Sequence, residues 1–481
     1  MIQRLQGVQS VNVRITEKAR SGTELRLVDE RAARGIPDFR GKRGEVTVRY
    51  EGKRTLVLAG LGGADPIRAS DLRVAAAAGM RRVCALRRTS CSLRIPASAG
   101  QVPYGWQAGL EGALLGPYRF EKYKPVQQRQ REPKTLELVA GGARATAARR
   151  VRAVCEAVNY ARDLVNDNAG RITPARLATE ARRLGRAAGL KVGVLAGREL
   201  AKQRLGLIRA VGQGSPTPPR VVTMLYRGAP RAAELTALIG KGVTFDSGGA
   251  NLKPTGHIEA MRADMAGAAA VLGTMQALAR LRPRKNVLGA FAAVHNALDG
   301  RSFFPGDIYA SHAGLTVEIC STDAEGRLIL ADAISYCRKK YRPTRIIDLA
   351  TLTGGVLGAF GDLVAGLCSN NDELADMLFS AGERTRERLW RLPLYAEYEQ
   401  AMRSARADLR NVSKLKKGHA STITGAAFLA RFVGNTPWAH IDIAGLAYNE
   451  REPRGVVPRF ATGFGIRLLV EYLTGMAEGA E

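Results

Sequence analysis

The sequence predicts an α/β protein of two domains: a basic N-terminal α/β domain over residues 1–150 and a C-terminal domain over residues 151–481 built on a mixed central sheet flanked by helices. Three observations predict it. Short continuous apolar runs alternate with stretches of helical periodicity, the pattern of buried strands joined by crossover helices. A length of 481 residues with 46% hydrophobic side chains suffices for two domains with a sizeable core, and excludes disorder as the main state. The charge is uneven, with 29 basic and 13 acidic side chains in residues 1–150 against 44 and 31 in the rest.

Taken in order, Ser10–Ile15 alternates like a strand. Met1–Arg20 lacks the continuous apolar core of a secretory signal, so it reads as mature protein with the cytoplasm as default; the absence of acids before Glu17 leaves a mitochondrial presequence open. Thr55–Ala59 reads as a buried strand ending in Gly60–Gly63, and Asp71–Leu86 as a helix, which together imply a largely parallel sheet. The polar segment Glu121–Lys134 reads as a linker or exposed loop. Ala143–Asn166 carries Val151, Val154, Cys155, Val158 and Leu164 on one helical face, and this helix is expected to join the two domains. Thr173-Pro174 opens another, with Thr as cap and Pro in the first turn. Beyond it, Val221–Tyr226, Leu235–Ile239, Val287–Val294, Leu315–Cys320 and Ile346–Leu349 read as buried strands, separated by helices around Ala263–Leu281 and Gly326–Lys340.

No apolar stretch approaches the roughly 20 residues needed to cross a bilayer, so no membrane partner is expected. The six cysteines are scattered without a C-x-x-C pair, as expected of small buried hydrophobes in a reducing compartment. The net charge of +29, densest at Arg81, Arg82, Arg87, Arg88 and Arg94, would attract nucleic acid or other polyanions. No nucleic-acid motif accompanies it, and an arginine-rich solvated surface is the plainer explanation.

In open α/β sheets the chemistry lies in loops beyond the strand C-termini. Two such loops stand out: Gly240–Gly249, followed by Lys253, Met261, Arg262 and Asp264, and Ser321-Thr-Asp-Ala-Glu-Gly-Arg-Leu328. Three Asp and one Glu converging without a cation would repel strongly, and burying them unpaired costs several kcal/mol each. Divalent ions resolve the conflict, and oxygen-rich ligation suits a hydrolytic two-metal site. His257, His295, His312, His419 and His440 lack ligand spacing and read as structural or surface residues.

Several motifs resemble the leucyl aminopeptidase family of dinuclear metallo-aminopeptidases, the cytosol aminopeptidases. They are Lys241–Gly249, Met261-Arg-Ala-Asp264, Thr322–Leu328, Ala350-Thr-Leu-Thr-Gly354, Trp438–Gly445 and Ala461–Glu471. The close likeness covers residues 155–475. It implies that residues 151–481 form a metallo-aminopeptidase catalytic domain, in which Asp246 and Glu325 bridge two divalent ions, zinc or manganese. Asp323 would complete one ion, and Lys241 and Asp264 the other. Lysine ligation needs the neutral amine, so the ions must depress the Lys241 pKa. Lys253 would polarise the scissile carbonyl, and Arg327 would hold bicarbonate as general base. Met261, Thr351, Leu352 and Gly354 would line the substrate site. Peptide substrates with a free N-terminus and a homohexamer follow from the same resemblance. Ser321 stands where the family usually has Asn, and His295 where it usually has Glu, which bears on substrate preference and rate. The alternative is a DNA-binding accessory or regulatory protein on the same scaffold.

Overall fold

The computed structural model describes residues 11–416 and 418–475, and these form two compact units. The first contains β1 (Asn12–Ile15), β2 (Thr23–Val28), β3 (Val46–Glu51), β4 (Arg54–Gly60), α1 (Ala69–Ala85), β5 (Ser90–Arg94), α2 (Gly105–Leu115) and β6 (Thr135–Val139). Ser10, where the alternation begins in the sequence, lies outside the described residues. The six strands pair in the order β1-β6-β5-β2-β4-β3, all parallel except β3, which runs antiparallel to β4. In β4 every residue after Arg54 is buried, as a strand covered on both faces must be. Helix α1 lies close over β2: a Cβ at Gly79 would stand 2.2 Å from the Leu25 side chain. Residues 121–134 connect α2 to β6 as a mostly exposed loop inside this unit, so the alternative of an interdomain linker falls.

Helix α3 (Ala145–Asn166) runs on from this unit, and Val151, Val154, Cys155, Val158 and Leu164 are all buried. The division falls inside this helix, at Tyr160/Ala161, ten residues beyond the 150/151 boundary drawn from the sequence, and residues 449–462 belong with the first unit.

The second unit opens with α4 (Pro174–Ala188), where Thr173 Oγ1 accepts from Arg176 N and proline takes the first turn. There follow β7 (Lys191–Ala196), α5 (Arg198–Lys202), α6 (Gly206–Gly212), β8 (Arg220–Arg227), β9 (Thr236–Asp246), α7 (Ala266–Leu281), β10 (Asn286–Asn296), β11 (Ile308–Ala310), β12 (Thr316–Glu318) and α8 (Glu325–Tyr341). The rest is β13 (Arg345–Ala350), α9 (Gly355–Phe360), β14 (Ala365–Ser369), α10 (Asp372–Thr385), β15 (Leu389–Arg391), α11 (Ala396–Gln400), β16 (Leu409–Arg410), α12 (Ser421–Val433), β17 (Trp438–Asp442) and α13 (Ile466–Thr474). Eight strands form the central sheet in the order β15-β14-β17-β13-β9-β10-β8-β7. It is mixed: β17, β13, β9 and β10 are mutually parallel, whereas β8 and β14 run antiparallel to their inner neighbours.

One strand sits elsewhere than expected. The apolar run at Leu315–Cys320 yields only β12, in a separate three-stranded sheet with β11 and β16. Only Val317 of its three residues is buried, so the segment alternates like a half-buried strand and gains nothing from the sheet centre.

The four parallel central strands end on one edge, and the residues there are Asp246, Asn296, Ala350 with Thr351 after it, and Asp442. The topology thereby gathers polar side chains that lie far apart in sequence.

Candidate active site

Lys241 lies inside β9, buried, and its Nζ stands 2.8 Å from Asp264 Oδ1 and 2.9 Å from Glu325 Oε1 while donating to Thr351 O at 2.9 Å. Asp246 ends the same strand. Its Oδ1 accepts from Gly248 N at 2.9 Å and Asn296 Nδ2 at 2.8 Å, and its Oδ2 lies 2.9 Å from Lys253 Nζ. Lys253 also reaches Asp323 Oδ1 at 2.5 Å. Asp264, in the 3-10 turn Glu259–Met265 ahead of α7, accepts from Thr351 Oγ1 at 2.7 Å. Glu325 is the first residue of α8. One carboxylate oxygen from each of Asp246, Asp323 and Glu325 lies within 4.8 Å of the other two, and Asp264 joins them through Lys241.

The two loops are tied directly. Thr322 Oγ1 donates to Gly248 O at 2.6 Å, Thr322 N to Asn251 Oδ1 at 2.8 Å, and Asn296 Nδ2 to Thr322 O at 3.1 Å. Gly248 adopts φ +85°, and a Cβ there would stand 2.9 Å from Asp323 Oδ1, so this turn requires glycine twice over.

Four carboxylates against two ammonium groups leave the cluster short of positive charge. Burial, followed by the neighbouring Glu325, pushes Asp246 up to about 6. Burial likewise raises Asp264, against Lys241, and Asp323, against Lys253. For Glu325 burial acts upward, but Lys241 and Lys253 outweigh it and the carboxyl is lowered. Burial pulls both lysines down, and the acids around them overcome it and raise both. Lys241 thus stands as the counter-charge between Asp264 and Glu325. Asp264 Oδ2 and Glu325 Oε2 are buried without a hydrogen-bond partner. Orphaned buried carboxylate oxygens beside displaceable ammonium groups fit hard divalent cations.

Arg327, on α8, is also buried; Nη1 donates to Asn411 O at 2.9 Å, Nε has no partner, and burial brings its pKa down to about 10. Thr351 joins the cluster through Asp264 and Lys241, and Leu352 N donates to Asp442 Oδ1 at 3.1 Å. Gly354 is exposed at the start of α9. Met261 shares the 3-10 turn of Asp264 but makes none of the cluster's polar contacts.

Both departures contact groups other than the carboxylate oxygens. Ser321 Oγ accepts from Asp323 N at 3.2 Å within its own loop, and the His295 ring packs edge-on against Phe245 with centroids 5.8 Å apart. His440 is buried as a partner of Asp348, Nδ1 to Oδ1 2.6 Å, a structural role. Sequence reasoning gave no site role to Asn251, Asn296, Asn411 or Asp442. Of these, Asn296 carried a signal, a polar residue closing a long apolar run.

Comparison with known proteins decides what this cluster belongs to. Residues 159–470 match the catalytic domain of the cytosol aminopeptidase family, and residues 33–126 its N-terminal domain. The chain belongs to the cytosol aminopeptidase family. Probable cytosol aminopeptidases of Protochlamydia amoebophila and Roseiflexus castenholzii are 40% and 42% identical, covering 91% and 87% of this chain and 89% and 87% of theirs. Among solved structures, the bottromycin maturation enzyme BotP in complex with manganese superposes with a TM-score of 0.86 at 36% identity, over 95% of this chain and 99% of that one. As a family member the chain is a metal-binding hydrolase, an aminopeptidase, and its cofactors are two divalent metal ions, zinc or manganese. No helix among the described residues is long and apolar enough to cross a membrane.

Proposed function

We propose that the chain releases N-terminal amino acids, leucine and similar residues, from short peptides. The observation that carries this is the convergence of Asp246, Asp323 and Glu325 with Lys241 and Lys253, leaving buried carboxylate oxygens unpartnered. Lys241, Asp246, Asp264, Asp323 and Glu325 would hold two divalent ions. Such ions supply Lewis-acid polarisation and an acidified water at neutral pH.

The protein's own side chains supply the rest. Lys253, held at the cluster by Asp246 and Asp323, can turn its ammonium toward a carbonyl oxygen and donate a hydrogen bond as negative charge develops there. Arg327 keeps a buried guanidinium with an unpartnered Nε, which fits a small oxyanion; bicarbonate in that place would serve as general base. Thr351, Leu352, Gly354 and Met261 would line the substrate site, with Thr351 fixed by Asp264 and Leu352 by Asp442. Homohexamer assembly and cytoplasmic residence belong to the same proposal and rest on the family resemblance.

An exopeptidase of this kind needs a free amine at the residue it removes. Leucyl-glycine is expected to yield leucine, and N-acetyl-leucyl-glycine to remain intact, by chromatography of the products. Equal cleavage of both would overturn the exopeptidase reading.

A further inference from the structure

We propose that Asn411 is a positioning residue that sets Asp323, Glu325 and Arg327 relative to one another. The inference rests on the aminopeptidase reading above. Asn411 follows β16, which pairs in parallel with β12 through Val317↔Leu409 and Glu318↔Arg410, and its N donates to Glu318 O at 3.1 Å. There β12 stops and the carboxylate loop begins. The carboxamide continues the pairing: Oδ1 accepts from Cys320 N at 2.7 Å and Ser321 N at 3.3 Å, and Nδ2 donates to Ser321 O at 2.6 Å and Ala324 O at 3.4 Å. The side chain is fully buried, and its hydrogen-bonding capacity is committed to the backbone on both sides of Asp323.

The same residue reaches the guanidinium. Its carbonyl oxygen accepts from Arg327 Nη1 at 2.9 Å, the one hydrogen bond to this guanidinium among the described residues. Asn251 and Asn296 tie Thr322 to the Asp246 loop, and Asn411 adds a third tie on the same loop from a different element. With the carboxamide ties cut, Asp323 and Glu325 lose register with Asp246, and the backbone carbonyl that holds Arg327 loses its own anchor to the loop. Groups outside the ligand set that orient ligands in this way are worth about 10- to 100-fold in metal affinity or activity when removed.

The test compares the full-length chain with Asn411→Ala, Asn411→Asp and Asn286→Ala. Asn286 is a matched control, a buried asparagine with the same number of side-chain hydrogen bonds, to Ala229 N and O, Ala232 O and Glu234 O. It opens β10, at the opposite end of that strand from Asn296. Thermal unfolding, manganese titration calorimetry, and kcat and KM for leucyl amide are measured on each. Both alanine variants are expected to lose thermal stability. Only the Asn411 variants are expected to bind manganese about 10- to 100-fold more weakly and to lose kcat about 100-fold, with KM changed less. Asn411→Asp keeps the size and the acceptor but removes the donors, so it decides the matter if Asn411→Ala does not fold. Asn411 variants that match Asn286→Ala in manganese affinity and kcat would overturn the inference while the functional reading stands. A wild-type chain that takes up no metal and releases no leucine overturns both.

Discussion

Gly326 has no side chain because Lys241 occupies the space one would need: a Cβ there would stand 2.5 Å from Lys241 Cε and 2.6 Å from Nζ. In Gly326→Ala the clash falls on the far end of a flexible side chain, and alanine favours the helix by about 1 kcal/mol. Stability is therefore expected to change by less than about 1 kcal/mol in thermal unfolding, while turnover falls by at least about 100-fold as the amine is pushed out of place. Retained turnover would show that Lys241 does not take part. The charge state of the same lysine makes a second prediction. Its proton is held more tightly than usual by Asp264 and Glu325, and an amine must shed that proton to ligate a cation. Apparent manganese affinity should rise about tenfold per pH unit for each proton released, and more steeply below about 6, where Asp246 also carries a proton to be displaced. Calorimetry between pH 5 and 8 in two buffers of different ionisation enthalpy measures both slope and proton release; a flat profile contradicts ligation by Lys241.

Among elements, α8 does two jobs along its length. Its first turn carries Glu325 and Arg327, and farther along Asp332 Oδ2 accepts from Leu207 N at 2.9 Å and Ile208 N at 3.1 Å, the opening amides of α6, while Oδ1 accepts from His312 N at 2.7 Å. Burial pushes this carboxyl up to about 7, against the three amides. Asp332→Ala would strand two buried N–H groups and a half-buried one, and a loss of about 3 to 5 kcal/mol is expected in denaturant unfolding, with turnover per folded, metal-loaded molecule unchanged. A loss below about 1 kcal/mol would mean that water replaces the carboxylate. The elements also mark how far the sequence carries. The apolar runs of β8, β10 and β13 and the Thr173-Pro174 cap were legible because burial on both faces and capping leave local signatures. The placement of β12 was not, since a short apolar run does not say which sheet it joins. Asn411 was illegible for the same reason: its partners lie about 90 residues away, and β16 consists of two residues.

At the scale of the molecule, four parallel strands of one mixed sheet deliver Asp246, Asn296, Thr351 and Asp442 to one edge, and two loops and a 3-10 turn add Lys253, Asp323, Glu325 and Asp264. The carboxylates were legible as a cluster among glycines that calls for a cation, and the ligand set, Lys241 included, through the family resemblance of the motifs. The asparagines that hold them were not, because their role exists only once the sheet has formed. The central claim is that this cluster is a metal-dependent aminopeptidase centre. Its most direct test is leucine release from leucyl amide by the dialysed protein, before and after manganese or zinc is supplied, beside Asp323→Ala and Glu325→Ala. Turnover that appears with the metal and falls by at least about 100-fold in both variants is the expected result. Turnover independent of metal, or undiminished in either variant, would contradict it.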